Sequence, residues 1–393
     1  MSRIPEMRFD GFTEPWEQRK FSDLYAPLVE RNSDLLPYNK TLSVATMTYK
    51  TDGNGAADSS LANYKRLRTG DIAFEGHTSK SFRYGRFVLN DVGDGIMSPR
   101  FSALRPLAQM PSNFWKYYIH YEPIMRKILV ASTKAGTMMN ELVIDEFLKS
   151  SVLIPSIEEQ TRIGSILKNI DNLITLHQRK YDRLKNLKKA YLEKMFPKDG
   201  ETVPEMRLDG FTEPWEQHKF GDIGSVAMCK RVFKEQTFDE GEVPFYKIGT
   251  FGGEPDAYIS RELFDEYKTK YPYPNKGDIL ISASGSIGRT VEFTGKDEYF
   301  QDSNIVWLKH GKEIDNSFLK ILYSVVEWSC EGSTIKRLYN DNFLKTEFML
   351  PQIDEQKKIG EYFNNLDHLI TLHQHRLERL KHLKQAYLQK MFA

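Results

Sequence analysis

The sequence is poor in cysteine, in long apolar runs and in net charge. Its 393 residues include two cysteines, Cys229 and Cys330, so neither a disulfide framework nor a four-cysteine zinc site is expected. No run of about 18 apolar residues is present to cross a bilayer, and the first residues lack the apolar core of a signal peptide. These absences exclude the disulfide-rich secreted and the membrane-spanning classes. We therefore expect a soluble, intracellular protein of two or three domains.

Signatures of catalysis are also missing from the sequence. It contains no G-x-x-x-x-G-K-[ST] phosphate loop, no H-E-x-x-H zinc pair and no Asn/Asp-Pro-Pro-aromatic tetrapeptide of an amino-methyltransferase. Gly285 and Gly288 are too close together for a glycine-rich nucleotide motif and predict a tight turn. The formal charge of +1 argues against a strongly electrostatic nucleic-acid binder, although the stretch from Leu61 to Arg105 is locally basic. An enzyme that works alone is not expected.

What the sequence does contain is a duplication. The segment Pro5–Phe21 returns as Pro204–Phe220 with two residues changed. A second block, Ile154–Phe196, returns as Leu350–Phe392 with more than half of its residues identical. The segments between the blocks do not match. A duplicated frame around two different inserts predicts two similar attachments to other molecules and two different recognition surfaces.

The second repeated block predicts a long helix. Ser156 and Glu159 have the spacing of a capping box at its start. Apolar side chains then recur every three or four residues over 163–195, and the second copy keeps this stripe over 359–391. About 40 residues make a rod of about 60 Å. Packing the two rods together as an antiparallel coiled coil removes both stripes from water.

The inserts have the pattern of mixed α/β (α+β) domains. Strands are predicted by β-branched and aromatic runs between turn residues, at 70–74, 86–89, 277–282, 290–293 and 304–308. Each insert ends with an aromatic helix, followed by a turn of small residues; the helices are predicted at 113–119 and 318–323, and the turns at 132–137 and 332–336. The predicted architecture has pseudo-twofold symmetry, with recognition domains at 1–153 and 201–349 and long helices with their linker at 154–200 and 350–393.

This pattern resembles the specificity subunit of type I restriction-modification systems. The resemblance is carried by the entry to each long helix, with its proline, Glu-Gln pair and isoleucine, by the end of each helix, and by a tryptophan near the start of each half. These residues are Ile154–Ile163, Leu350–Ile359, Tyr191–Phe196, Tyr387–Phe392, Trp16 and Trp215. The resemblance covers essentially the whole chain.

The resemblance implies a non-catalytic DNA-recognition subunit of a prokaryotic, cytoplasmic and nucleoid-associated complex. Each variable domain would recognise one part of a bipartite, asymmetric sequence in double-stranded DNA, and the paired helices would fix the gap between the parts. Two methyltransferase subunits would dock on the helices, and restriction subunits would join that core. No cofactor would be bound by this chain, since S-adenosylmethionine would belong to the methyltransferase, and ATP and Mg to the restriction subunit.

Candidate DNA-binding residues are predicted in segments that mix cations, hydroxyls and aromatic rings without an apolar period. In the first domain they are Lys65, Arg66, Arg68, His77, Ser79, Lys80, Arg83 and Tyr84. In the second they are Lys247, Ser284, Ser286, Arg289, Gln301, Asp302, Ser303, Asn304, Lys336, Arg337, Tyr339 and Asn340. The alternative for both sets is an exposed, solvated loop without a ligand.

Two matched positions on the helices have open alternatives. Leu176 and Leu372 lie beside the apolar stripe, where they either widen the seam between the helices or face the methyltransferase partner. His177 and His373 interrupt the stripe, and a polar residue that sets the register of a coiled coil is the favoured interpretation. For the whole chain, the competing hypotheses are an unrecognised nuclease or transferase in a variable domain, and a coiled-coil scaffold for two protein partners.

Overall fold

The computed structural model describes residues 4–50, 58–333 and 335–392. The chain folds into two compact units. The first runs to Gln178 and includes the stretch from His375, and the second is Arg179–Gln374. Both boundaries fall inside long helices, so each of these helices contributes to both units. The domain limits predicted from the repeats, at residues 153, 200 and 349, remain a prediction.

The first unit is built on antiparallel strands. Its strands are β1 (Glu17–Lys20), β2 (Tyr25–Pro27), β3 (Leu42–Ser43), β4 (Thr48–Tyr49), β5 (Lys65–Leu67), β6 (Ile72–Glu75), β7 (Arg86–Leu89), β8 (Gly95–Met97), β9 (Ala103–Pro106), β10 (Thr133–Lys134), β11 (Glu141–Leu142) and β12 (Ser151–Ile154). Its helices are α1 (Ser112–Tyr118), α2 (Glu122–Ser132), α3 (Ile144–Lys149) and the start of α4 (Ile157–Lys194). The central sheet has the order β2-β9-β6-β7, and β1-β12, β3-β4, β5-β8 and β10-β11 form pairs.

The second unit repeats this plan. Its strands are β13 (Glu216–Lys219), β14 (Gly224–Ala227), β15 (Val243–Tyr246), β16 (Tyr258–Ile259), β17 (Ile279–Ser282), β18 (Thr290–Glu292), β19 (Tyr299–Phe300), β20 (Ile305–His310) and β21 (Glu347–Leu350). Its helices are α5 (Phe220–Ile223), α6 (Arg261–Lys270), α7 (Asn316–Val325), α8 (Asn340–Lys345) and the start of α9 (Ile353–Phe392). The sheets are β14-β20-β17-β18, β16-β15-β19 and the pair β13-β21.

The two units share a sheet topology although their inserts do not match in sequence. In β2-β9-β6-β7 and in β14-β20-β17-β18, all neighbours are antiparallel and the connections come in the same order. The inner strands β6 and β17 are buried along their whole length because both of their faces are covered. One face of each strand packs with α1 or α7, and the other face, which carries Ala73 or Leu280, packs in a second apolar cluster of the same unit. The predicted strands and aromatic helices are confirmed, and so is the mixed helix-and-strand fold class.

The long helices α4 and α9, of 38 and 40 residues, pack together. In the first unit the Asp171 carboxylate of α4 lies 2.7 Å from Nζ of Lys384 in α9. In the second unit Nζ of Lys188 in α4 lies 2.6 Å from the Asp367 carboxylate of α9. The beginning of each helix therefore meets the end of the other, which confirms the antiparallel pair.

The end of each long helix is built into a core. The Phe392 ring of α9 contacts Phe114 and Tyr118 of the first unit edge-on, with centroids 5.7 and 5.3 Å apart. Phe196, which follows α4, contacts Trp215 of the second unit in the same way at 5.7 Å. The repeated ends of the long helices, Tyr191–Phe196 and Tyr387–Phe392, thus contribute to the cores of the two units.

The middle of the apolar stripe departs from the prediction. Ile163, Leu167 and Ile170 are buried as expected, but Leu173 and its counterpart Leu369 are 44% and 40% exposed. A straight helix has 3.6 residues per turn, so a stripe of side chains repeating every 3.5 residues gradually rotates around the helix. Some positions of the stripe then face solvent instead of the other helix. The expectation that packing removes the whole stripe from water is wrong at these two leucines.

The repeated entry to each long helix is a structural joint. Ser156 Oγ accepts a hydrogen bond from the Glu159 amide at 3.3 Å, which confirms the first half of the capping box. The Glu159 carboxylate has a different partner, because Arg8 donates two hydrogen bonds to it at 2.8 and 2.6 Å. Arg207 binds Glu355 in the same way at 2.8 and 2.7 Å. The two repeated blocks are therefore clamped to each other in each unit.

Candidate nucleic-acid interface

In the second unit, loops that are far apart in sequence meet beside the turn after β17. The Gly285 amide donates to the Lys336 carbonyl at 3.1 Å, and the Leu338 amide donates to the Ala283 carbonyl at 2.9 Å. Ser284 and Arg337 form a backbone bridge between these hydrogen bonds. The structure thus brings together the predicted residues of the turn and those of the segment before α8.

The remaining predicted residues of the second unit join the same surface. The Ala283 amide donates to the Asn304 carbonyl at 2.7 Å, and the Gln301 amide donates to the Tyr246 carbonyl, next to Lys247, at 2.9 Å. In this set, Ser286, Arg289, Ser303, Lys336, Arg337, Tyr339 and Asn340 are exposed, Lys247, Gln301, Asp302 and Asn304 are half-buried, and Ser284 is buried. Exposed cations and hydroxyls on one surface can donate hydrogen bonds to phosphates and base edges.

Some of these side chains already have protein partners. Gln301 Oε1 accepts a hydrogen bond from the Ile248 amide at 2.9 Å. A bidentate contact of Gln301 with adenine would require this hydrogen bond to break. Arg289 donates to the Phe251 carbonyl at 2.7 Å while its side chain stays at the surface. The Asp302 carboxylate accepts from Arg231 at 2.9 Å. Arg231 is not among the predicted residues, and the only local signal is that it forms a basic pair with Lys230.

In the first unit, the corresponding position is the loop between β6 and β7. His77, Ser79, Lys80 and Arg83 are exposed there and Tyr84 is half-buried. The buried Glu75 carboxylate accepts from the His77 amide at 3.0 Å and lies 2.5 Å from Nδ1 of the same residue. Because Nδ1 faces the carboxylate, Nε2 of this exposed ring is left to point away from the strand.

The three cations predicted on β5 and directly after it have partners within the fold. Arg66 is 7% exposed and forms ion pairs with Asp34 and Asp94 at 3.0 and 3.2 Å. Lys65 donates to the Phe101 carbonyl at 2.6 Å, and burial lowers the pKa of its ammonium group. Arg68 pairs with Glu30 at 2.7 Å but remains half-exposed. These contacts explain why the cations are present without a ligand, and DNA binding by them stays a prediction.

A hairpin beside the β6–β7 loop was not among the predicted residues. It is formed by β10 and β11, and the Asn140 amide in its turn donates to the Gly76 carbonyl at 2.9 Å. The Asn140 side chain donates to the Arg83 carbonyl at 3.1 Å. This hairpin occupies the place that the segment before α8 has in the second unit. The predicted turn of small residues at 132–137 was the available signal, but it was not linked to DNA.

The predicted docking leucines differ in exposure. Leu176 is 47% exposed on α4, and Leu372 is half-buried on α9. The histidines beside them are half-buried at His177 and buried at His373. An exposed Leu176 cannot contribute much to an intramolecular seam, so its position favours the partner-facing alternative.

Residues 4–50, 58–333 and 335–392 contain neither a metal-binding cluster nor a membrane-spanning helix. No group of three or more His, Cys, Asp and Glu side chains there is arranged to hold a metal ion. None of the helices in these ranges has both the length and the hydropathy that a membrane crossing requires.

Comparison with known proteins assigns the family. The model of the type I restriction modification DNA specificity domain matches residues 79–186 and 212–382, which is more than half of the chain. The chain belongs to this family. The second stretch includes the loops described above for its unit, the first begins within the β6–β7 loop, and each covers most of a long helix.

Relatives of known name agree with this assignment. The chain is 54% identical over 153 residues to a putative type I restriction enzyme specificity subunit of Haemophilus influenzae, a match that spans 38% of this chain and 40% of that protein. It is 24% identical over 310 residues to the MjaVIII specificity subunit of Methanocaldococcus jannaschii, spanning 74% and 72% of the two chains. Both proteins are named as specificity subunits, and the first of them is matched over less than half of its length.

Solved structures show the same fold. The S subunit of a type I restriction-modification system from M. genitalium matches with a TM-score of 0.62 over 99% of both chains at 15% identity. A second match comes from a structural study of complex assembly and conformational transition in a type I R-M system. Its TM-score is 0.51 at 17% identity, and it covers 98% of this chain and 99% of that one.

Proposed function

We propose that each unit of this specificity subunit recognises one part of a bipartite, asymmetric DNA sequence and that the chain itself is non-catalytic. One observation carries this proposal. In both units the loop that leaves the buried central strand, β6 or β17, is joined by backbone hydrogen bonds to a hairpin, and the side chains on these loops differ between the units. The same frame holding different polar surfaces suits two different half-sites.

We also propose that the paired helices set the gap between the half-sites and dock two methyltransferase subunits. The antiparallel packing of α4 and α9, with matched Asp–Lys pairs in the two units, supports a stiff spacer. The exposed leucines Leu173, Leu176 and Leu369 on these helices supply apolar area for a partner. Restriction subunits would join this core on DNA in the cytoplasm.

The proposed division of labour leaves the cofactors with the partners. S-adenosylmethionine is expected in the methyltransferase subunit, and ATP with Mg in the restriction subunit. This chain then contributes only binding energy and geometry: cations for phosphates, polar side chains for base edges, and a fixed separation.

The decisive experiment is methylation-sensitive sequencing of the host genome with and without this gene. The expected result is one bipartite methylated-adenine motif that disappears on deletion. The purified chain mixed with its methyltransferase subunit is expected to methylate a duplex that carries this motif, and the chain alone is expected to be inactive. Methylation by the chain alone, or a mixture that binds no DNA sequence preferentially, contradicts the proposal.

A further inference from the structure

Both units carry a hairpin with an exposed apolar side chain in its turn. In the first unit β10 and β11 enclose residues 135–140, and Met138 in this turn is 70% exposed. In the second unit Glu331 pairs with Arg337, and Ile335, which lies two residues before Arg337, is 61% exposed. Single apolar side chains at a surface are ordinary. Here, however, an exposed apolar side chain recurs on the corresponding hairpin of both units, although the inserts do not match in sequence. This recurrence indicates that both side chains contact the same kind of partner.

The hairpins are attached to the loops proposed to bind DNA. Asn140, two residues after Met138, donates through its amide to Gly76 and through its side chain to the Arg83 carbonyl. Lys336, the residue after Ile335, accepts from the Gly285 amide at 3.1 Å. Each exposed apolar side chain therefore lies beside the polar surface of its own unit.

The backbone of these hairpins leaves little freedom. A Cβ on Gly76 would lie 2.0 Å from the Asn140 carbonyl oxygen, so the hairpin and the loop approach more closely than any other residue allows. Gly332 has a φ of +104°, and a Cβ there would lie 2.4 Å from the Ile335 carbonyl oxygen. The turns are thus tightly held, and their apolar side chains project from a fixed base.

At least one cation lies next to each apolar side chain. In the first unit Nη2 of the exposed Arg100 lies 3.5 Å from Met138 Sδ. In the second unit the exposed Lys336 and Arg337 follow Ile335 directly. An apolar side chain with cations beside it suits a nucleic-acid groove, because the cations bind phosphates at the rim of the groove while the apolar group reaches the bases.

On the basis of the proposed function, we propose that Met138 and Ile335 are wedges that enter the minor groove and partly unstack one base step in each half-site. Methionine and isoleucine are among the side chains that do this in minor-groove proteins. Unstacking is least costly at flexible pyrimidine–purine steps, so each wedge adds sequence preference without a hydrogen bond to a base.

The test uses the full chain with its methyltransferase subunit and duplexes that carry the motif found by sequencing. The fluorescent adenine analogue 2-aminopurine, placed singly at successive positions other than the methylated adenine, brightens where a base loses its stacking. The methylated adenine is left out because the methyltransferase itself takes its target base out of the stack. We expect brightening at one step in each half-site. Met138→Ala is expected to abolish it in one half and Ile335→Ala in the other, each with a loss of affinity of about tenfold, whereas Met138→Leu and Ile335→Leu retain it.

Matched controls are Leu107→Ala and Val203→Ala, which remove side chains that are 57% and 45% exposed elsewhere in the two units. Leu107 follows the last residue of β9, and its amide donates to the Leu24 carbonyl at 2.9 Å. Both controls are expected to keep wild-type brightening and affinity. Absence of sequence-specific binding by the wild type would overturn the proposed function itself. Specific binding without brightening, or brightening that survives Met138→Ala and Ile335→Ala, would overturn the wedge alone.

Discussion

The buried pair of Arg8 and Glu159 shows what a repeated residue does in this fold. The two side chains are 10% and 1% exposed, and the hydrogen bond to Glu159 raises the pKa of Arg8. Removing one partner leaves a buried charge unpaired, so Arg8→Met is expected to lower the free energy of unfolding by about 3–5 kcal/mol. Urea titration of the purified chain measures this.

The control for this prediction is Arg19→Met. Arg19 pairs with Glu17, but both are at the surface with side chains 52% and 70% exposed, so a loss of at most about 1 kcal/mol is expected. A double variant, Arg8→Met with Glu159→Met, is expected to recover much of the loss, because a pair of apolar side chains replaces the buried ions. Equal effects of Arg8→Met and Arg19→Met would contradict the structural role of the buried pair.

Glu30 is expected to make stability depend on acid pH. Hydrogen bonds from Arg68 and then from Arg105 lower its pKa from 4.5 to about 2. A carboxyl group whose pKa is lowered on folding stabilises the fold above its unfolded pKa, and this contribution is lost as the pH falls towards the folded pKa. Glu30→Gln should therefore lower stability at pH 7, with a difference from wild type that shrinks from pH 4.5 downwards.

Urea midpoints measured between pH 7 and pH 3 check this prediction. Glu17→Gln is the control, because its arginine partner is exposed and only a small, nearly constant difference from wild type is expected. A difference for Glu30→Gln that stays constant or grows below pH 4.5 would show that the two arginines do not act on this carboxylate as described.

Single residues show where sequence reasoning reaches its limit. The Ser156 cap was predictable because its partner is three residues away. The ion pairs of Arg66 with Asp34 and Asp94, which are 32 and 28 residues distant, were not predictable because no local pattern indicates such pairs, and its role as a DNA contact stays a prediction. The sequence shows that Arg8 and Glu159 both lie in repeated blocks, but not that these two residues, 151 positions apart, are hydrogen-bonded to each other.

At the scale of elements, periodicity predicted the long helices and the buried central strands well. It could not predict β10 and β11, because strands of two residues have no period to detect. It also placed Leu173 and Leu369 on the buried stripe, since the rotation of the seam along a straight helix depends on how the pair packs.

The exposed face of α4 is expected to bind the methyltransferase subunit. Leu176 is 47% exposed, so Leu176→Glu should leave the urea midpoint close to wild type and abolish co-purification with the partner. Thr175→Glu adds the same charge at an exposed neighbouring position on another side of the helix and is the control. A destabilised chain that still co-purifies with its partner would assign Leu176 to the helix seam.

At the scale of the whole molecule, the duplicated frame was visible in the sequence because its two copies are still similar. The common strand order of the two inserts was not, since residues that set a sheet order need only be buried and of suitable size. The candidate interface could be predicted only in part. Composition identified polar loops, but only the fold shows that residues near 284, 302 and 337 are neighbours.

The proposed spacer role of the helices makes a prediction about the whole site. Both helices contain Thr-Leu-His-Gln at matched positions, Thr175–Gln178 and Thr371–Gln374. A second copy inserted in both helices adds four residues, or about 6 Å of helix, to each. Since base pairs are stacked about 3.4 Å apart, the gap in the methylated motif is expected to grow by about one to two base pairs.

Methylation-sensitive sequencing of cells that carry the lengthened gene measures this gap, and the half-site sequences should stay unchanged because the recognition loops are untouched. The control inserts the same four residues after Gly200, in the linker between Lys194 and β13, where they lengthen no helix. The control is expected to keep the wild-type gap. A lengthened pair of helices that still methylates the original motif would mean that something other than these helices sets the distance between the half-sites.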